Sequence, residues 1–126
     1  MNKMKIEVSN GEIIDKLTII EIKLKKIKDD AKLVNLKKEY EVLKTASRSI
    51  ISDENPLYKA LYKVNSELWD IEDRIRILEK NSDFGDEFIS VARSVYFKND
   101  KRAALKREIN INTSSGLIEE KSYEEY

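Results

Sequence analysis

Apolar residues recur at every third or fourth position in four stretches of the chain, and short polar breaks separate these stretches. This spacing is typical of amphipathic helices, because side chains three and four residues apart lie on one helix face. Ser9 and Glu12 form the S-x-x-E pattern of a capping box, which predicts that the first helix starts there. The apolar seam of this helix is Ile13, Leu17, Ile20, Leu24 and Ile27.

Polar residues between the stretches mark where the other helices begin and end. Asp29 and Asp30 are predicted to end the first helix and cap the second, and Asn55 followed by Pro56 gives the third helix a cap and a first turn. The stretch Asn81, Ser82 and Asp83 is predicted to end the third helix and cap the fourth, which the polar residues 110–116 then end. Short links between long helices favour antiparallel neighbours. The sequence therefore predicts an all-α fold, an antiparallel bundle of about four helices.

The two ends of the chain differ from the helical stretches. Residues 4–8 alternate apolar and polar side chains, which predicts a short extended segment over residues 1–8, as a single strand or without one. Residues 113–126 form a polar tail, in which we expect Ile118 to pack against the bundle and residues 124–126 to be loose. A chain of 126 residues can build one domain with a core but not two, so we expect a single domain over residues 1–126.

The composition narrows the classes of function. The 24 basic and 24 acidic residues balance, so the chain lacks a basic excess and we expect no nucleic-acid partner. It has no histidine, the commonest general base and zinc ligand, and we expect no metal or other cofactor. It has no cysteine, and its apolar runs are far shorter than the ~20 residues of a membrane helix. These features predict a cytoplasmic protein without membrane insertion.

Asp15 is the most informative charge in the first helix. Ile14 and Ile19 lie off the main seam, so this helix is apolar on two faces and needs cover on both. Asp15 is then expected at an interface, and it has no oppositely charged residue one helical turn away. We therefore expect its partner on the fourth helix, either Arg93 or Arg102.

Several other charges have an oppositely charged neighbour four residues away. Such pairs usually lie on the solvated face of a helix and contribute about 0.3 kcal/mol each. This interpretation predicts ordinary surface pairs on the first and third helices. The pairs are Glu12–Lys16, Glu21–Lys25, Asp70–Arg74 and Glu72–Arg76.

An aromatic stripe on the third helix lies away from its leucine seam and has two interpretations. The stripe consists of Tyr58, Tyr62 and Trp69 together with Asn65 and Arg76. Aromatic residues at helical spacing usually pack against another element of the same chain. Tyrosine and tryptophan are also enriched where proteins bind one another, so the stripe predicts a protein partner or a homodimer.

The fourth helix loses its apolar seam between residues 98 and 102. Arginine and lysine side chains near this interruption could hold a phosphate or carboxylate by charge-assisted hydrogen bonds. The alternatives are a polar layer that fixes helix register and plain solvent exposure. Taken with charges of the first and third helices, the candidate ligand-binding residues are Asp15, Lys16, Glu72, Asp73, Arg76, Arg93, Asn99, Asp100, Arg102 and Lys106.

An enzyme is the less favoured interpretation, and no catalytic residue is assigned. Glu12 with Asp15, and Glu67 with Asp70, each place two carboxylates on one helix face. Facing pairs could bind Mg²⁺, which takes oxygen ligands and needs no histidine. The same spacing is common in helical proteins, so Mg²⁺ enters only under this alternative.

Two hypotheses about function follow from these observations. The first is a binding or assembly module that acts through protein contacts, because the helices carry more apolar surface than one small bundle buries. The second is a ligand-binding protein or small all-α enzyme, with a polar site between helices for a phosphate- or carboxylate-bearing molecule.

Four segments together resemble a family of small helical proteins of unknown function from bacteria and their phages. The segments are SNGEIIDKLTIIEIK, LWDIEDRIR, ARSVYFKNDKRAALKREIN and EEKSY. The resemblance spans nearly the whole chain, from Met4 to Tyr123. It implies no activity, cofactor or catalytic residue.

Overall fold

The computed structural model describes residues 3–126 and consists of four α-helices packed against one another, which confirms the predicted all-α bundle. Within the described range there is no β-strand, and no helix combines the length and apolar character needed to cross a bilayer. The helices are α1 (Asn10–Lys26), α2 (Asp30–Ser47), α3 (Pro56–Lys80) and α4 (Asp86–Asn112).

The helices start at residues whose side chains satisfy free backbone N–H groups. Ser9, Asp29 and Asn55 each accept a hydrogen bond from the first turn of the helix that follows, as predicted. The predicted cap at Asp83 is wrong, because α4 begins after Gly85, whose N–H donates to the Asp83 carboxylate at 3.3 Å. The first turn of α4 carries two acidic residues, which favour the positive end of the helix dipole.

α3 and α4 end in Schellman motifs with serine at the position where glycine is usual. Ser82 and Ser114 adopt positive φ angles of 52° and 53°. After α4, the N–H of Ser115 donates to the carbonyl of Asn110 at 2.9 Å. The chain reverses here, and the residues that follow return along the helix.

α1 lies at the centre of the fold, where it packs against each of the other three helices. α3 and α4 are antiparallel, since Glu67 contacts Lys98 and Arg74 contacts Glu87. α2 packs on α1 and brings Tyr40 against the shared core. The fully buried cluster of this core is Ile14, Leu17, Tyr58, Leu61, Val64 and Ile109.

The segment before α1 carries little packing. Residues 3–8 form neither helix nor strand and are exposed to solvent. Residues 1–2 of the predicted extended segment lie outside the described range.

Residues 117–126, here called the return segment, lie along α4 and are held differently from the prediction. Ile118 is 43% exposed, so more than half of its surface is covered, and its partial docking stays a prediction. Tyr126, expected to be loose, packs its ring against Tyr96 and Phe97 of α4. Aromatic and charged side chains therefore hold the segment on the helix.

Candidate functional site

Asp15 lies at the junction of α1, α3 and α4 and is completely buried. Its Oδ1 accepts hydrogen bonds from Asn65 Nδ2 and Arg102 Nε, both at 2.9 Å, and its Oδ2 accepts from Arg102 Nη2. Thr18 accepts a second bond from Asn65 at 2.8 Å. The prediction that Asp15 pairs with an arginine of α4 is confirmed, and the partner is Arg102.

Lys106 and Glu12 complete this group, which we call the Asp15 cluster. Lys106 Nζ lies 2.7 Å from a Glu12 oxygen and 3.8 Å from Asp15 Oδ2. The predicted surface pair of Glu12 with Lys16 is therefore wrong, because Glu12 turns toward α4. The hydrogen bond to Asp15 raises the pKa of the Arg102 guanidinium, which keeps this cation charged. The members of the cluster are Glu12, Asp15, Thr18, Asn65, Arg102 and Lys106.

The Asp15 cluster balances two carboxylates against two cations. Within residues 3–126, every buried side-chain nitrogen or oxygen has a hydrogen-bond partner, so the cluster has no unsatisfied group. Such a charge-balanced junction ties three helices together in one register, and breaking it leaves a buried charge without its partner. The cluster therefore acts chemically as a structural tie.

The paired carboxylates considered for Mg²⁺ face cations and not one another. Glu12 and Asp15 bind the cationic side chains of α4 described above. Glu67 pairs with Lys98, and Asp70 is exposed on α3. Among the described residues, no three side chains of the metal-ligating types converge on one point.

Of the two ion pairs predicted on the charged face of α3, one forms and the other is replaced by a contact with α4. Arg76 Nε donates to Glu72 at 2.7 Å, which confirms the pair four residues apart. Arg74 reaches across to Glu87 of α4 and does not pair with Asp70, so that second prediction is wrong. Because α3 and α4 lie side by side, Glu87 of α4 is within reach of Arg74 and takes the place of Asp70 as its partner.

The aromatic stripe of α3 does not form one surface. Tyr58 is 4% exposed and belongs to the core, which corrects its prediction as a partner contact. Its hydroxyl donates to Glu21, and burial together with this bond raises the pKa of the phenol. Tyr62 lies beneath the Lys25 ammonium, 5.1 Å from the ring centre. These contacts replace the predicted pair of Glu21 with Lys25.

Some predicted ligand-binding residues lie apart from any enclosed site. Lys16, Asp73 and Arg93 are exposed. Arg93 Nε lies 3.4 Å from the Tyr96 hydroxyl and does not reach the Asp15 cluster. Arg76 is also exposed and is engaged by its helical neighbour Glu72.

Three predicted residues converge on a cavity beside Trp69. The cavity has a volume of about 290 Å³ and lies where α1 meets α3 and α4. Isoleucine, leucine and valine supply five of its ten wall residues, and Trp69 adds a further apolar side chain. The predicted polar residues that line it are Glu72, Asn99 and Arg102.

The outer face of α4, turned toward the return segment, carries a second group of predicted residues. A groove of about 420 Å³ lies between this face and the segment, with Lys121 and Tyr123 on its far side. A larger adjoining space of about 600 Å³ continues toward Arg107. The predicted residues that line the groove are Asn99, Asp100, Arg102 and Lys106.

The return segment is held on this outer face by alternating charges. Glu120 pairs with Arg107 at 3.0 Å, and Lys121 pairs with Asp100 at 3.1 Å. The Tyr126 hydroxyl donates to the other Asp100 oxygen at 2.5 Å. These two hydrogen bonds, with that of Tyr126 the larger influence, lower the pKa of Asp100 and keep it ionised.

Three residues that hold the site together were not among the predicted site residues. Asn65 interrupts the apolar side of α3, and a polar residue among buried positions was the signal available for it. Asn110 and Glu119 bond to each other and bring the return segment to the start of α1. Their contact joins residues on opposite sides of a chain reversal, for which helical periodicity gives no signal.

The fold and site define an all-α protein whose helices are tied by a buried ion-pair cluster and whose last helix carries the return segment along its outer face. Residues 4–126 match the model of a family described as a family of unknown function (DUF6165). The chain belongs to this family, which confirms the resemblance to a domain of unknown function. No curated protein and no solved structure matches the chain.

Proposed function

We propose that the protein is a small cytoplasmic binding module that recognises an extended acidic segment of a partner polypeptide along the outer face of α4. The observation that carries the proposal is the return segment itself, which occupies this face in an extended form. A helix face that binds one extended peptide by side-chain contacts can bind another of similar chemistry. The protein's own return segment would then compete with the partner segment for the same face of α4.

Charge complementarity supports a polypeptide ligand of acidic character. Glu120 of the return segment pairs with Arg107 of α4, and the charge of Lys106 lies near Glu119. The return segment carries four acidic residues and one basic residue. Opposite charge on the two surfaces favours encounter and fixes the register of the bound segment. The overall balance of charge in the chain favours a protein partner over a nucleic acid.

Aromatic side chains supply the second element of recognition. The Tyr126 ring centre lies 5.3 Å from that of Tyr96 and 4.8 Å from that of Phe97. Tyr96 and Phe97 remain 42% and 45% exposed even beneath Tyr126. Exposed aromatic rings next to a charged groove are typical of a binding surface. The rings supply apolar contact area, and the charges orient the bound segment.

The resident segment should reduce the affinity for an added segment. A short link confines it at an effective concentration on the order of millimolar, so a free peptide must compete with it. We expect Tyr126→Ala in the full chain to tighten binding of a labelled peptide of residues 117–126 by about fivefold or more. The return segment of this variant lacks its aromatic contact with α4 and therefore competes less well with the peptide. Fluorescence anisotropy of the labelled peptide measures this gain.

Ser122→Ala is the matched control for this experiment. Ser122 is exposed in the middle of the same segment and lines neither space beside the α4 face. This variant should bind the peptide like the unchanged chain. Equal binding by Tyr126→Ala and Ser122→Ala would refute the proposal, as would equal binding of a peptide with the same composition in scrambled order.

A small-molecule site is the second candidate function, and the cavity beside Trp69 favours it. This cavity brings together Glu72, Asn99 and Arg102 over an apolar wall, which suits an aromatic molecule with a carboxylate or phosphate. Its volume of about 290 Å³ is at the small end of the range for ligand pockets.

Trp69 is the only tryptophan in the chain, so its fluorescence reports on this cavity. Under this second candidate, benzoate or phenyl phosphate should shift the Trp69 emission in a saturable way. Val95→Phe, which narrows the cavity, should remove the response, whereas Ile89→Phe at an exposed position of α4 should retain it. An emission spectrum that neither ligand changes would exclude this candidate.

A further inference from the structure

Glu119 of the return segment enters a small polar socket at the start of α1. The Ser9 hydroxyl donates to Glu119 Oε1 at 2.5 Å, and the Asn110 amide donates to Glu119 Oε2 at 3.1 Å. Ser9 is 0% exposed and Asn110 is 1% exposed, so both donors are buried. Each carboxylate oxygen therefore has its own buried donor, although the Glu119 residue itself is exposed.

Ser9 and Asn110 each accept a hydrogen bond from the backbone of α1, and these bonds determine which of their atoms face Glu119. Asn110 Oδ1 already accepts from the Gly11 N–H at 2.6 Å, so its Nδ2 group is turned toward Glu119. Ser9 Oγ accepts from the Glu12 N–H at 3.1 Å and gives its one hydrogen to Glu119. Asn110 is thus held as a donor, and the Ser9 hydrogen needs an acceptor at this position. The socket fits a group with two acceptor oxygens.

This donor arrangement discriminates between a carboxylate and an amide. A glutamine in the same place presents one acceptor and one NH₂ group, and that NH₂ group faces a donor of the socket. A buried donor then lacks an acceptor, which costs far more than the loss of one exposed hydrogen bond.

The charge around the socket also favours a carboxylate. Burial alone would raise the pKa of Glu119, but hydrogen bonds from Ser9 and Asn110 and the nearby charge of Lys106 lower it overall. The start of α1 adds the positive end of a helix dipole, which favours an anion in the same position.

We infer that Ser9 and Asn110 form the specificity-determining socket of the binding face and select partner segments with a glutamate seven residues before an aromatic residue. The spacing is that of Glu119 and Tyr126, the two ends by which the return segment is held. This inference rests on the proposed function, since it names the chemistry of the segment that the α4 face accepts.

The test compares labelled peptides of residues 117–126 on the full chain that carries Tyr126→Ala. A peptide with Glu119→Gln should bind at least about tenfold more weakly than the native peptide, because a buried charge-assisted bond is lost. A peptide with Glu124→Gln, which changes the same charge outside the socket, should bind within about threefold of it. Ser9→Gly in the chain keeps a residue that can start a helix and should reduce the preference for glutamate over glutamine.

The outcomes separate the inference from the proposed function. If the native peptide binds but the two glutamine peptides bind equally well, the socket does not select and the inference is overturned while the binding face stands. If the preference at position 119 survives Ser9→Gly unchanged, Ser9 has no part in it and the socket as described is refuted. If no peptide binds the chain, the proposed function fails and the inference fails with it.

Discussion

Arg102→Ala is expected to lower the free energy of unfolding by about 3 kcal/mol. The substitution removes two of the hydrogen bonds that hold the buried Asp15 carboxylate and leaves Asn65 as its close donor. Lys106 stands farther away, at 3.8 Å, and is already engaged by Glu12. A buried charge that loses its main partner destabilises a fold far more than the loss of a surface pair. Urea denaturation measures the change.

Arg93→Ala is the matched control, since it removes the same side chain from an exposed position of the same helix. Its side chain lies near the Tyr96 hydroxyl and no closer than 3.4 Å, so we expect a change within about 0.5 kcal/mol. In a double-mutant cycle, Asp15→Asn should remove most of the cost of Arg102→Ala, because the uncompensated charge disappears. Equal effects of the two arginine substitutions would contradict the role of the Asp15 cluster as a tie.

Gly11→Ala is expected to destabilise the protein by about 3 kcal/mol, although alanine is the better helix former by about 1 kcal/mol. A Cβ at this position would overlap the carbonyl oxygen of Lys106 and lie 3.0 Å from Asn110 Oδ1. The first of these atoms belongs to the backbone of α4 and cannot rotate away. α1 and α4 must therefore separate, which stretches the Asp15 cluster and weakens the Gly11 hydrogen bond to Asn110.

Gly85→Ala serves as the control for this steric argument. Its Cβ would meet only the Asp83 side chain, at the ordinary distance of 3.6 Å. We expect a loss below about 1 kcal/mol, of the size that alanine costs at the start of a helix. Thermal denaturation of both variants gives the comparison. A Gly11→Ala variant as stable as the unchanged chain would show that the close approach of α1 and α4 is not required.

Local sequence patterns predict the helices because the interactions that start and stop them are local. The Ser9, Asp29 and Asn55 caps bond within three residues along the chain, so their positions are visible in the sequence. Asp83 illustrates the limit of such a pattern. It has the right side chain for a cap, but it lies two residues before the cap position of α4 and accepts a hydrogen bond from the N–H of Gly85 in the turn after α3.

The charge pairs show why the site was harder to predict than the fold. Glu12 has Lys16 four residues away, yet it binds Lys106, and Glu21 has Lys25 yet accepts from Tyr58. A pair four residues apart is worth only a few tenths of a kcal/mol, so any facing helix with a donor can override it. The prediction for Asp15 was correct because its position leaves no such choice. The apolar residues on both sides of it must be buried, so Asp15 is buried with them, and a buried carboxylate needs a cationic partner.

The return segment was predicted least well. Its contacts alternate between charge and aromatic packing along an extended chain, and an isolated extended segment has no period to recognise. Hydrophobicity alone points to Ile118 for docking, but it is Glu119 and Tyr126 that form hydrogen bonds with the rest of the fold. These residues find their partners only after α1 and α4 have come together to form the surface.

The central claim is that the outer face of α4 is a surface that binds an extended segment, with residues 117–126 as its resident. The chain has no cysteine, so Ser122→Cys accepts a single nitroxide label in the middle of that segment. Paramagnetic broadening of backbone amide signals in the full chain then maps where the segment lies. We predict strong broadening of amides from residues 96–107 of α4 and little effect on α2. Broadening confined to the neighbours of the label in sequence would contradict the account, because the segment would then leave the α4 face unoccupied.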